Sequence, residues 1–279
     1  MRTYLDCLPC FLSQALRAAR NATRDEAMIK RVLDEVGRML ADIPLESTPP
    51  ESGRRIYQKV AEITGNRDPF REAKEESTRE ALVLYPFLKE RVEASQDRLA
   101  TAVRVAIAGN VIDFGPNRAF DLREEIDAAI EKEAAIWDYP SFREAVGEAD
   151  EILYLGDNAG ECVFDRVLIE ELNRPVIYAV REVPVINDAT REDAVAAGVD
   201  KAARIISSGT DAPGTILGTC SSEFKEIYQQ AGCIISKGQG NYEALSNETR
   251  PIFFLLKTKC RVIADDIGVC EGDIVLKKI

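Results

Sequence analysis

Hydrophobic residues change their spacing part-way along the chain. Up to about residue 108 they recur every three or four positions, as in Leu5, Leu8, Leu12 and Leu16, then Val32, Val36, Met39, Leu40 and Ile43, which is helical periodicity. After residue 150 short apolar runs alternate with amphipathic stretches. Ile152–Leu155, Val176–Val180, Ile205–Ile206, Cys233–Ile235 and Ile252–Leu256 read as strands, with helical segments between them. Strands that alternate with helices predict a largely parallel sheet covered on both faces. The tail, Arg261–Ala264 with Ile274–Lys277, adds an antiparallel hairpin at the edge of that sheet. The division predicts a helical module over 1–108 and an α/β domain over 109–279. Within the first part, Thr48-Pro49-Pro50-Glu51 and Asp68-Pro69 carry helix-start chemistry.

Composition removes several function classes. The 279 residues include no histidine, so Ser-His-Asp and Cys-His nucleophiles and every histidine-containing zinc site are excluded. A formal net charge of -12 opposes non-specific attraction to nucleic acid or to an anionic membrane. Ile252–Leu256, the best apolar run, is far too short to cross a bilayer. Seven cysteines and a start without a secretory signal pattern point to reduced thiols and a cytoplasmic protein.

Parallel sheets place ligands outside the carboxyl ends of their strands, so the residues that follow each strand are where chemistry is sought. Gly156-Asp157-Asn158-Ala159-Gly160-Glu161 follows the first strand, and a longer loop after the second reaches Asn187-Asp188-Ala189-Thr190. Asp157, Asn158 and Asp188 offer two carboxylates and an amide carbonyl, hard oxygen donors suited to a divalent ion. The same residues also suit ordinary helix caps. Ser207-Ser208-Gly209-Thr210-Asp211 and Ser236-Lys237-Gly238-Gln239-Gly240-Asn241 suit a phosphate cradle of backbone N–H groups, with Lys237 as a cation. Thr215 stands where a P-loop requires lysine, which disfavours a nucleotide triphosphatase. Gly109-Asn110 reads either as a helix end or, with Asp113, as a substrate contact and an acid or base. Cys7-Leu8-Pro9-Cys10 sits in a helical pattern; packing is its simplest reading, and Cys260 or Cys270 could complete a metal site.

Taken together, the N-terminal CxxC, Gly109-Asn110-x-x-Asp113, Gly156-Asp157-Asn158-Ala159-Gly160-Glu161, Asn187-Asp188-x-Thr190 and Lys237-Gly238-x-x-Asn241-Tyr242 resemble the metal-dependent damage-control phosphatases, long called domain of unknown function 89. The order of the motifs matches from end to end, and the CxxC resembles the prokaryotic branch. The resemblance implies a helical N-terminal part packed on a three-layer α/β/α domain. It implies a divalent ion (manganese, cobalt, nickel or magnesium) held by Asp157, Asn158 and Asp188, and a phosphate contacted by Lys237 and Asn110. The implied reaction is hydrolysis of phosphomonoesters of small metabolites, such as sugar phosphates or phosphorylated cofactor precursors, by metal-activated water attacking phosphorus. Asp157, Asp113 and Lys237 are then the catalytic candidates. Asn110, Glu161, Ser208, Gly209, Lys237 and Asn241 are the substrate-binding candidates, with Glu161 or Asp113 also placed to move a proton. Two other readings compete. A Gly-rich first loop suits an S-adenosylmethionine-dependent methyltransferase with Glu182 on the ribose, and the oxygen ligands alone suit a non-catalytic metal-binding module.

Overall fold

The computed structural model describes residues 1–110 and 121–279. Five helices come first: α1 (Cys7–Ala22), α2 (Glu26–Leu40), α3 (Pro49–Thr64), α4 (Arg71–Glu93) and α5 (Arg98–Gly109). Next come α6 (Asp121–Glu131), a two-residue strand β1 (Ile136–Trp137) and α7 (Tyr139–Glu148). Strands and helices then alternate: β2 (Ile152–Leu155), α8 (Glu161–Leu172), β3 (Val176–Val180), α9 (Arg191–Ala196), β4 (Arg204–Ser207), α10 (Ser222–Gln230), β5 (Cys233–Lys237), α11 (Gly238–Leu245), β6 (Phe253–Lys257), α12 (Arg261–Ile267) and β7 (Ile274–Lys278).

The strands form one sheet in the order β1-β7-β6-β5-β2-β3-β4. Strands β2 to β6 are mutually parallel, and β7 runs antiparallel to β6. Successive residues of each strand enter opposite apolar layers, as the pleat requires. Ile152, Tyr154 and Tyr178 pack toward α4, α5 and α8, whereas Leu153, Leu155 and Ile177 pack toward α10, α11 and α12. The result is three layers, α/β/α, with a mixed edge. The predicted tail hairpin is only half present. Ile263, Ala264 and Ile267 recur at helical spacing on one buried face, so residues 261–267 form α12, and β7 alone returns along β6. β7 is not the edge strand either, because β1 pairs with its outer side.

The opening helices divide between two cores. Helices α1 to α3 share a core of their own, to which α1 contributes Phe11, Ala15, Ala18 and Ala19. The leucine stripe expected to face that core is only partly buried, and Leu5 is 68% exposed, because the alanine face lets the helices approach more closely. Helices α4 and α5 instead lie on α8, in the same core as the sheet. Their approach is close enough that a Cβ on Gly109 would stand 2.9 Å from the Phe164 Cβ. Helix α3 starts with the expected capping box of Thr48 and Glu51 around Pro49 and Pro50. Helix α4 starts at Arg71 without a side-chain cap, and Asp68 instead pairs with Lys74, 3.3 Å away. Among the described residues no helix is long and apolar enough to cross a membrane.

Candidate active site

Strand order reverses between β5 and β2, with β6 to one side and β3 and β4 to the other. An open parallel sheet is cleft at such a point, beyond the carboxyl ends of the strands. A cavity of about 980 Å³ opens there. Its sheet side presents Asp157 and Asn158 after β2, Asp188 after β3, Gln239 and Gly240 after β5, and Lys259 after β6. Its other side presents Cys7, Cys10 and Gln14 of α1 and Pro49, Pro50 and Gly53 of α3, so these two helices close over the sheet edge.

Backbone contacts bring the two acidic loops together. An isolated antiparallel bridge pairs Asn158 with Asp188. The Ala189 N–H donates to the Asp157 carbonyl at 2.7 Å, and the Ala159 N–H to that of Asn187 at 2.9 Å. The simple capping alternative does not describe these side chains. Helix α8 begins after Gly160 without a side-chain cap, and α9 is capped by Thr190 with Asp193. Gly238, at φ +75°, lets the loop after β5 lie against Asp157, since a Cβ there would fall 1.9 Å from the Asp157 Oδ2.

Behind this floor is a buried charge network. Arg181 donates to the Asp188 Oδ2 at 2.7 Å and lies 3.9 Å from the Asp157 Oδ1. The Lys237 ammonium, fully buried, lies 2.5 Å from the Asp165 Oδ1 and 3.3 Å from the Glu161 Oε2. Burial alone would lower its pKa, but the carboxylates of Asp165 and Glu161 outweigh burial and hold the ammonium charged. Four buried carboxylates, Asp157, Glu161, Asp165 and Asp188, thus share two buried cations, Arg181 and Lys237. When all are ionised the cluster holds two more negative charges than positive. Burial, and next the charges of Asp188 and Glu161, push the Asp157 carboxyl well above the usual carboxylate range. Burial also raises Asp188, against the pull of Arg181.

The site candidates read from sequence fall into three groups. Asp157, Asn158 and Asp188 meet at the cavity floor. Lys237, Glu161 and Asn110 are buried and connected to that floor without lining the cavity. Ser208, Gly209 and Asn241 also lie off the cavity lining. The Ser208 hydroxyl donates to the Val180 carbonyl, and Gly209 packs on the Ser221 backbone. The Asn241 amide is fully used inside the protein. Its nitrogen donates to the carbonyls of Gly156 and Lys237, and its oxygen accepts from Arg181 and Thr215. Asp113 lies outside the described residues. Glu182, the ribose candidate of the methyltransferase reading, is exposed and accepts from Ser207 rather than lining the cavity.

Sequence reasoning passed over three contributors. Arg181 directly follows β3 and was findable by the same strand-end rule that selected Asp188. Lys259 follows β6 at the same edge, is exposed, and its charge partly opposes the upward shift that burial and the neighbouring carboxylates impose on Asp157. Asp165 carries no motif and becomes visible only through its partners Tyr154, Tyr178 and Lys237. Of the remaining cysteines, Cys260 joins Cys7 and Cys10 on the cavity wall.

Among the described residues no three Cys, Asp or Glu side chains form a ready cage for a metal ion. The donor set of Asp157, Asn158 and Asp188, with an amide in place of a third carboxylate, nonetheless suits a hard divalent ion that keeps positions for substrate. The excess of buried carboxylates over buried cations in the cluster, and the raised pKa of Asp157 and Asp188, also suit a site that takes up a cation.

Known proteins resemble this chain along its whole length. A family model described as "Damage-control phosphatase ARMT1-like domain" matches residues 3–275. The damage-control phosphatase PH1575 of Pyrococcus horikoshii is 38% identical, over 99% of this chain and 97% of its own. A damage-control phosphatase of Archaeoglobus fulgidus is 36% identical, over 98% of both chains. The crystal structure of the Pyrococcus horikoshii protein, described as a DUF89 family protein, superposes with a TM-score of 0.94, covering 100% of this chain and 99% of its own. The sheet, its switch-point cavity and the paired acidic loops are therefore those of a member of the damage-control phosphatase ARMT1-like family, to which this chain belongs.

Proposed function

We propose that this chain is a metal-dependent phosphatase that hydrolyses phosphomonoesters of small metabolites. One observation carries the reading: a backbone bridge from Asn158 to Asp188 brings the Asp157 and Asp188 loops together at the floor of a cavity, in a buried cluster with more carboxylates than cations. Kinship with proteins named damage-control phosphatases supports the reaction class. A cavity of about 980 Å³ suits a small molecule rather than a macromolecule.

In this reading Asp157, Asn158 and Asp188 hold a divalent ion, which supplies Lewis acidity toward the phosphoryl oxygens and the attacking water. The chain's own residues do the rest. Arg181 keeps Asp188 aimed by a direct hydrogen bond, and Lys259 gives the anionic ester a positive partner on the cavity wall. Helices α1 and α3 enclose the organic part of the ester and exclude water from it. Lys237 acts from behind the floor, because its ammonium is committed to Asp165 and Glu161.

The test is phosphate release from sugar phosphates and an aryl phosphate, with magnesium, manganese, cobalt and nickel each supplied alone. Turnover should require a metal and should be abolished by Asp157→Ala and by Asp188→Ala in folded protein. Release that persists in either variant, or that needs no metal, would refute the proposal.

A further inference from the structure

Two asparagines of the site, Asn110 and Asn158, turn their amide nitrogens to the same oxygen. The Asn110 Nδ2 donates to the Glu161 Oε1 at 2.6 Å, and the Asn158 Nδ2 donates to that oxygen as well. Each nitrogen also faces the Asp157 Oδ2, at 3.4 Å from Asn110 and 3.1 Å from Asn158. A carboxylate oxygen accepts and an amide oxygen accepts, so an amide turned the other way would set oxygen against oxygen. The network therefore decides which end of each amide faces Glu161. For Asn158, which lines the cavity, it also decides which end is presented there.

Glu161 is itself held from behind. Lys237, which can only donate, occupies its Oε2 at 3.3 Å. Lys237 in turn is anchored on Asp165, whose two oxygens accept from the hydroxyls of Tyr154 and Tyr178, each at 2.8 Å. All five of these side chains are buried. Orientation thus passes from the sheet face through Asp165, Lys237 and Glu161 to the asparagine amides.

We infer that Glu161 is a positioning residue: with Lys237 and Asp165 behind it, it locks the Asn158 amide so that the carbonyl oxygen is the end offered to a divalent ion. The inference rests on the metal reading of Asp157, Asn158 and Asp188. It assigns Glu161 neither a proton nor a substrate contact. Glu161→Gln is the informative change because it preserves shape. Lys237 needs an acceptor and takes the new amide's oxygen, which leaves its NH2 group facing the two asparagines. They can meet it only by turning their oxygens inward, and Asn158 then withdraws its carbonyl from the cavity.

The experiment is a manganese titration of the full chain, with free Mn²⁺ followed by electron paramagnetic resonance. It compares wild type, Asp157→Ala, Glu161→Gln, Asn158→Ala and the Glu161→Gln/Asn158→Ala double variant, each checked for folding by circular dichroism. Loss of an orienting partner should weaken Mn²⁺ binding by about 10- to 100-fold in Glu161→Gln. The double variant should bind no more weakly than Asn158→Ala alone, because Glu161 acts through that amide. Unchanged affinity in Glu161→Gln, or losses that simply multiply in the double variant, would overturn the inference while leaving the metal site standing. Wild type that binds no Mn²⁺, or binding indifferent to Asp157→Ala, would remove the metal reading and this inference together. If Glu161→Gln does not fold, Asp165→Asn replaces it: a weaker loss of Mn²⁺ binding that vanishes in the Asn158→Ala background supports the inference, and a loss that persists there overturns it.

Discussion

Gly238 shows how much of the site depends on one missing side chain. Its left-handed backbone and its contact with Asp157 are separate constraints, and any other residue violates both. Gly238→Ala should cost about 1–3 kcal/mol of stability through backbone strain. Because the new methyl group must displace the Asp157 carboxyl, phosphate release should fall by about 100-fold or more, beyond what the stability loss explains. Urea unfolding beside a turnover assay separates the two effects. Wild-type turnover in a folded Gly238→Ala protein would mean that the Asp157 position is not needed. Glycines at strand ends are visible in a sequence; which of them touches a carboxylate is not. The same limit separates Asp157, Asn158 and Asp188, legible as oxygen donors after strands, from Lys237 and Asn241, whose residue types suggest ligand contacts but whose bonds are all internal. Residue type reports what a group can bond to, and only the fold reports what it has already bonded to.

At the level of elements, the parallel strands were legible because a strand buried on both faces is a continuous apolar run with sharp polar ends. Strands β2 and β3 fall at the bounds that the sequence predicts. The two-residue β1 offers no period to read, and its Trp137 has the appearance of a packing residue. It does pack, stacking on Tyr139 and lying under Arg104, while its backbone extends the sheet past β7. The allegiance of α4 and α5 was equally hidden, since helical periodicity says that a face is buried and not against what. Their seam with α8 makes a prediction. Replacing Gly109 by alanine gains about 1 kcal/mol of helix propensity. The added methyl, however, meets the Cβ and Cγ of Phe164 at 2.9 Å, the root of a side chain that cannot swing away. Overpacking costs about 1–3 kcal/mol, so Gly109→Ala should be less stable than wild type by about 1 kcal/mol in urea unfolding. A more stable variant would show that the seam has slack.

For the whole molecule, pH tests the packing where the start of the chain meets α11, since the Met1 ammonium donates to the Glu243 carbonyl at 3.1 Å. Glu243 of α11 sits on the cavity wall, and burial pushes its pKa up to about 8, with the Met1 ammonium opposing the shift. A raised carboxylate pKa means that the folded state keeps a proton which the unfolded chain has lost. Stability should therefore fall as pH rises from the ordinary glutamate range toward 8, and level off above it. Glu243→Gln removes that contribution. Its advantage over wild type in urea midpoint should grow between pH 5 and 8, and a constant difference across this range would contradict the burial of the Glu243 carboxyl.

The cavity has two makers. Its acidic floor comes from loops of one sheet, whereas its roof comes from α1 and α3, which have a core of their own. Roof residues such as Gln14 or Pro50 take no part in the hydrogen bonds that link Asp157, Asn158, Glu161 and Lys237. On the proposed function, chemistry and substrate fit are thereby separately heritable: changes in two helices reshape the cavity above a floor whose hydrogen bonds stay as they are.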